Sequence, residues 1–317
     1  MKTGSKRILF LFLMAVLLLA AILITGRYMG TGRPVDRAST VEMERWVYGI
    51  TVDDCWYDDV ETEAVIAAIR DMPVKPTARI VMSKEISAED YEDLFSQIHE
   101  VAYVMACPVD FSDMRAYESE QDYLDRFQDA YRVLKAYTDL WEIGNEVNEA
   151  EWIGQEPELI VKKTEAANAW LKSQGAKTAL TVYYANPEEQ DMFRWMSENL
   201  PASITEDVDF ALISYYEDDN EGDLPDWRQI FPAFEKVFPG AKIGFGECGN
   251  TAEDATVDSK LQMAHSYYAM EPPSGHYIGG CFWWYWVQDC VPHEKNPVYD
   301  GINRWMQEIP ENFWAWK

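Results

Sequence analysis

The sequence predicts an α/β protein: a single (β/α)8 barrel of the TIM type, preceded by an N-terminal membrane-anchor helix. Three observations carry that expectation. Eight short apolar runs recur along the chain, at 47–52, 78–82, 103–106, 140–143, 179–183, 210–214, 243–245 and 280–284, and a stretch with helical spacing of apolar residues follows each. The runs carry few charges, as strands covered on both faces require. Roughly 275 residues remain after the N-terminal segment, which suits one barrel of about 250. No linker rich in Pro, Gly or Ser divides them, and no repeat or low-complexity tract is present. The competing layout, an open doubly wound sheet, would show a Gly-rich phosphate turn after its first strand; Thr51-Val52-Asp53-Asp54 is not one.

The intervening segments read as helices. In 60–71, Val60, Ala64, Ala67 and Ala68 share a face, which Val65, Ile66 and Ile69 widen. Ser87, with Asp90 three residues on, is expected to cap the next helix. Leu124, Phe127, Tyr131 and Leu134 mark a helix over 121–137, and Gly175 stops one over 157–174. Helices over 187–200, 225–238, 254–270 and 299–309 complete the alternation.

The N-terminus opens with Lys2, Lys6 and Arg7, followed by an uninterrupted apolar run over 8–24. Its 17 residues exceed a cleaved signal core and just reach bilayer-spanning length. No small-x-small cleavage site follows, so residues 1–25 are expected to be an uncleaved signal anchor, 26–40 a tether and 41–317 the catalytic domain. The basic lead favours a cytoplasmic N-terminus and an extracytoplasmic barrel. Secretion after signal cleavage is the runner-up.

With 27 basic and 55 acidic residues the formal charge is −28. Such a surface repels phosphate backbones, which argues against nucleic acid, and disfavours polyanionic substrates, leaving a neutral glycan as the expected substrate. Cys55, Cys107, Cys248, Cys281 and Cys290 show no zinc-site spacing. A Cys55–Cys290 bridge across the barrel closure is conceivable, with five unpaired thiols the preferred reading. No metal and no cofactor is called for.

Two glutamates stand out. Leu140-Trp141-Glu142-Ile143-Gly144 is followed by Asn145-Glu146, and Lys242-Ile243-Gly244-Phe245-Gly246 by Glu247. Parallel barrel strands would bring both carboxyls to the C-terminal rim, where such barrels hold their active sites. A facing carboxyl pair is what glycosidic bond hydrolysis needs. Arg79 lies on the second strand, Tyr215-Tyr216 ends the sixth and Trp283-Trp284 the eighth.

This ordered set, Arg79, Asn145-Glu146, Tyr216, Glu247 and Trp284, resembles clan A of the retaining glycoside hydrolases, of the cellulase-like and endo-β-glycanase sort, over about residues 46–310. The resemblance implies that Glu146 is the acid/base and Glu247 the nucleophile of a double displacement. It also implies that Arg79 and Tyr216 keep Glu247 ionised, that Asn145 holds the sugar 2-hydroxyl, and that Trp284 floors the cleavage subsite. Glu142 reads as an interior salt-bridge partner. Phe282 to Trp286 is expected to alternate its rings across the strand. Asp53, Trp56, Asp110, Asn148, Tyr184, Asn186 and Asp289 are rim candidates, as is His293. Two other readings stand beside this one: a catalytically silent sugar-binding barrel, and a metal-dependent barrel using Glu142, Glu146 and Glu247. The partners expected are a glycan, the membrane through the N-terminal helix and, by analogy, a polysaccharide synthesis or export complex.

Overall fold

The computed structural model describes residues 46–188 and 190–308. The expected anchor and tether lie outside the described residues. Among those described, no helix is long and apolar enough to cross a membrane.

Eight parallel strands close into a barrel in sequence order. They are β1 Val47–Val52, β2 Thr77–Val81, β3 Tyr103–Cys107, β4 Leu140–Gly144, β5 Thr178–Tyr183, β6 Phe210–Tyr215, β7 Lys242–Cys248 and β8 Gly279–Trp283, with β8 pairing back onto β1. The principal helices are α1 Thr62–Arg70, α2 Glu92–His99, α3 Glu120–Leu134, α4 Pro157–Ser173, α5 Met192–Asn199, α6 Trp227–Val237, α7 Val257–Tyr268 and α8 Pro297–Gln307.

Helix ends follow local chemistry. Ser119 and Asp122 form a capping box on α3, as Thr256 and Ser259 do on α7. Pro157 opens α4, and Gly175, at φ +78°, closes it, with the N–H groups of Gly175 and Ala176 returning to Lys172 and Leu171. Two expected starts are corrected. Ser87 and Asp90 bond each other in a turn ahead of α2, which begins only at Glu92. The segment from Pro187 also begins as a turn, and α5 starts at Met192 behind the Asp191 cap.

The core has two layers. Val47, Met105, Leu140, Ala179, Phe210, Leu212 and Phe282 form one buried cluster, at the strand positions that alternate inward. The larger cluster lies between strands and helices and includes Ile80, Phe127, Ile143, Ile213 and Phe245. Closure between β7, β8 and β1 is tight. A Cβ on Gly280, itself at φ +88°, would lie 2.0 Å from the Phe245 carbonyl oxygen, and one on Gly244 would lie 2.4 Å from that of Gly279.

Three strands carry register shifts, and each bears on the cleft. In β7 the pairing passes from Ile213–Phe245 to Ser214–Glu247, skipping Gly246. Strict alternation would point Gly246 inward and Glu247 toward the helices; the bulge turns Glu247 into the barrel mouth. In β4 the pairing steps from Glu142–Ala179 to Gly144–Leu180, which brings Asn145 inward. In β8 a shift between Gly280 and Trp283, with Cys281 at φ +56°, changes the phase of the terminal aromatic run.

That third shift corrects the expected alternation of rings. The strand stops at Trp283, which is buried on the helix side with its indole N–H donating to Asp289 at 2.8 Å. Tyr285 takes a left-handed conformation at φ +58° and Trp286 starts a short helix, so Trp284 and Tyr285 both face the cleft. All five cysteines are unpaired; Cys55 is exposed and Cys290 buried, so the conceivable bridge between them is absent.

Candidate active site

A cleft of about 1210 Å³ opens at the C-terminal rim, lined among others by Glu146, Glu247, Tyr216 and Trp284. Its floor is a polar layer inside the barrel. Arg79 on β2 is fully buried, with Nε 2.6 Å from Glu142 Oε2 and Nη1 2.6 Å from Glu247 Oε1. The second contact is an ion pair whose N–H is not aimed along it. The other Glu142 oxygen accepts from Thr181 Oγ1 at 2.5 Å. Glu142 is thus the interior salt-bridge partner of Arg79.

Glu247 is held from several sides. Tyr216 donates its hydroxyl to Oε2 at 3.0 Å, and Asn145 Nδ2 donates to Oε1 at 3.2 Å and to Asp110 at 2.9 Å. Burial is the largest influence on Glu247 and pushes it up to about 7; the Arg79 guanidinium opposes that, Asp110 and Glu142 add to it, and the Tyr216 hydroxyl opposes it. Glu146 is placed differently. It has φ +47°, a left-handed conformation that a non-glycine residue holds only when its surroundings impose it. Among the described residues its carboxyl has one hydrogen-bonding partner, Ser214 Oγ at 2.5 Å, and pairs with no cation. Burial, and then the neighbouring Glu247 charge, raise it well above the ordinary carboxylate range, against the Ser214 hydrogen bond.

The two carboxyls therefore differ in kind. One sits on a guanidinium and ionises first; the other has no cation to hold its charge and keeps its proton longer. Trp284 lies on the cleft wall with Arg79 5.9 Å from its ring centroid. Asn145 is fully buried beneath Glu247.

The rim candidates divide. Asp110 belongs to the polar layer through Asn145, and Asn148, which lines the cleft, also clamps the Tyr183 backbone through both amide atoms. The others serve structure. Asp53 accepts from Gln288, the Trp56 indole returns to the Asp53 carbonyl, and Tyr184 packs on Tyr215 and Trp227. The Asn186 N–H donates to Asn220, and Asp289 takes Lys260 and Trp283. His293 turns to Asp71 at 3.1 Å and stacks near Tyr299, away from the cleft.

Several cleft residues were not anticipated: Ser214, Tyr183, Trp152, Trp195, Glu149 and Tyr285. Ser214 had a legible signal, since it lies two residues before Tyr216 on a predicted strand and so shares its face. Among the described residues, no group of three or more His, Cys, Asp or Glu is placed to hold a metal ion.

Fold and site together define a (β/α)8 barrel whose rim carries a buried carboxyl pair in unequal surroundings. Its fold is similar to that of Saccharomyces cerevisiae Gas2p in complex with laminaritriose and laminaritetraose, at a TM-score of 0.51 and 13% identity over 85% of this chain and 66% of that one. Gas2p in complex with laminaripentaose gives 0.48 and 12%, over 84% and 65%. This chain thus spans just under two thirds of the length of these neighbours. The likeness at a TM-score of 0.51 establishes the shared fold. No family model matches the sequence, and no curated protein matches it.

Proposed function

We propose that this protein is a retaining glycoside hydrolase that cleaves β-glycosidic bonds in an extracytoplasmic, neutral polysaccharide or oligosaccharide. Glu247 attacks the anomeric carbon while Glu146 gives its proton to the departing glycosidic oxygen, leaving a glycosyl ester on Glu247 and a free hydroxyl on the leaving sugar. Glu146, now ionised, takes a proton from water as that water attacks the same carbon, and Glu247 is released. Arg79 and Tyr216 hold the attacking carboxylate, Asn145 donates to it and holds the sugar 2-hydroxyl, and Trp284 offers a ring face to the sugar. The location outside the membrane rests on the N-terminal apolar segment alone.

The observation that carries this reading is the inequality of the two carboxyls. Double displacement needs one ionised and one protonated carboxyl at the same pH, and the two sets of neighbours order them that way. A barrel that only bound sugar would have no use for that ordering. Gas2p structures hold laminari-oligosaccharides, so β-glucans belong in the first panel, with mannans, xylans and galactans. Product analysis should show cleavage of one class with the anomeric configuration retained by proton NMR. It should also show loss of hydrolysis in Glu146→Gln and in Glu247→Gln with the fold intact by circular dichroism. Inverted product, or full activity in either variant, would overturn the assignment.

A further inference from the structure

The cleft crosses the barrel mouth. The strands close in sequence order, so β4 stands opposite β8, and the cleft lining runs from Trp284 and Tyr285 after β8 to Trp152 after β4 and Trp195 on α5. Glu146 and Glu247 line the same space. Its volume of about 1210 Å³ exceeds the roughly 300–1,000 Å³ of a pocket that encloses one small ligand. A space of that size, with rings on opposite sides of the mouth, suits a chain of sugars better than a single one.

Trp152 is the ring that the mechanism leaves unused. It is 74% exposed, the most exposed large apolar side chain among the described residues. A loop free to rearrange would cover an indole, at a gain in apolar burial. The segment carrying Trp152 is braced instead. The helical turn Ala150–Ile153 buries Ile153 and ends on Gly154 at φ +70°, whose N–H returns to the Ala150 carbonyl at 2.8 Å. Gln155 follows; its Nε2 donates to the Tyr117 carbonyl at 3.2 Å, and its Oε1 accepts from Lys163 Nζ at 2.6 Å. Lys163, on α4, is fully buried and also donates to the Met114 carbonyl at 3.1 Å. Burial pushes its ammonium down to about 8, so a charge kept at a cost fixes the loop that holds Trp152 out. The acid/base protonates the glycosidic oxygen, so the loop running on from Glu146 borders the leaving-group side.

We propose that Trp152 is a stacking platform for a sugar on the leaving-group side, beyond the unit next to the cleaved bond, and that it makes the protein select long neutral chains over short ones. An indole face lies flat against the apolar face of a pyranose, and only a substrate long enough to reach it gains from the contact. This rests on reading the cleft as a glycosidase active site, and it adds a chain-length requirement to that reading.

The test uses the full chain carrying Glu247→Gln, so that bound ligand is not turned over, and isothermal titration with dimers and hexamers of β-1,3-glucan, β-1,4-mannan, β-1,4-xylan and β-1,4-galactan. In the series that binds, the hexamer should bind at least about tenfold tighter than the dimer; adding Trp152→Ala should cut that ratio by about tenfold, and Trp152→Phe should keep most of it. The circular dichroism spectrum should stay that of the parent, since the ring is largely exposed. With both glutamates intact, Trp152→Ala should also shorten the labelled fragment released from a hexamer labelled at its reducing end, because fewer units are then held past the cleavage point. No binding in any series, no advantage of hexamer over dimer, a ratio or fragment pattern unchanged by Trp152→Ala, or an equal loss in Trp152→Phe would overturn the proposal. The glycosidase reading fails separately, if protein with Trp152 intact hydrolyses none of the hexamers; the binding ratio is measured without turnover.

Discussion

Glu247→Gln should make the protein inactive and more stable at once. In the folded chain the Glu247 carboxyl is pushed up to about 7 from an ordinary 4.5. A carboxyl whose folded value is raised binds its proton more tightly in the native state than in the unfolded one. Across the window from 4.5 to about 7 the unfolded chain has released a proton that the native state still holds. Stability therefore falls as pH rises through that window and stays lower above it. Each tenfold change in acidity is worth about 1.4 kcal/mol, so the full window costs roughly 3 kcal/mol. Glutamine cannot ionise, and its amide oxygen can still accept from Tyr216. The variant should exceed the wild type by about 1 kcal/mol near pH 5.5 and by roughly 3 kcal/mol near pH 8. In a barrel of this size that is about 6 °C in Tm at the higher pH, readable by scanning calorimetry at matched ionic strength. Equal Tm values at about pH 8, or a less stable variant, would refute the reasoning, because Glu247 would then be a carboxylate fully settled by Arg79.

The remaining predictions concern the two limbs of the pH profile and the closure of the barrel. Activity requires Glu247 ionised and Glu146 protonated, so kcat/KM should rise through the Glu247 value and fall through the higher Glu146 value. Tyr216→Phe removes a donor that lowers Glu247 and should move the acidic limb up, whereas Ser214→Ala should move the alkaline limb up through Glu146. Glu142→Gln removes a charge that raises Glu247 and should move the acidic limb down, opposite to Tyr216→Phe; shifts of like sign in the two would dismiss the account. Gly280→Ala places a methyl 2.0 Å from the Phe245 carbonyl at a left-handed φ and should cost about 4 kcal/mol or more, seen as a steep fall in Tm or in soluble yield.

Much of the barrel was legible because its strands are short apolar runs with helices between them, a pattern that survives without knowledge of any contact. Strand edges were less legible. The run at 243–245 was read too short, since β7 extends to Cys248 through a bulge that no alternation rule contains. The rings at 282–286 were misassigned for a related reason: a shift in β8 and a left-handed Tyr285 broke the period of two. The carboxyl pair was found from strand ends alone, and Glu142 was expected as an interior salt-bridge partner from its spacing to Glu146, whereas the identity of its cation, Arg79, came only with the structure. Glu149 went unnoticed because its environment comes from how the loop after β4 folds back, which residue type and spacing do not record.

The same bulges explain why the site has its asymmetry. Glu247 reaches the Arg79 guanidinium only because Gly246 is skipped in the pairing with β6. Glu146 avoids that guanidinium because the β4 shift gives the inward position to Asn145, and Glu146 leaves the strand in a left-handed turn toward Ser214. A regular barrel with this sequence would point Glu247 into the helical layer, where a carboxylate would meet Phe231 and Tyr267, both packed on Phe245, and find no cation. Among the described residues, the polar layer inside the barrel holds one guanidinium, that of Arg79, and Glu142 already shares it. With a single guanidinium divided between two carboxylates, a third buried carboxyl has no cation left to hold its charge. The ordering of Glu247 before Glu146 thus follows from the number of cations the barrel encloses and from the two bulges that decide which carboxyl reaches one.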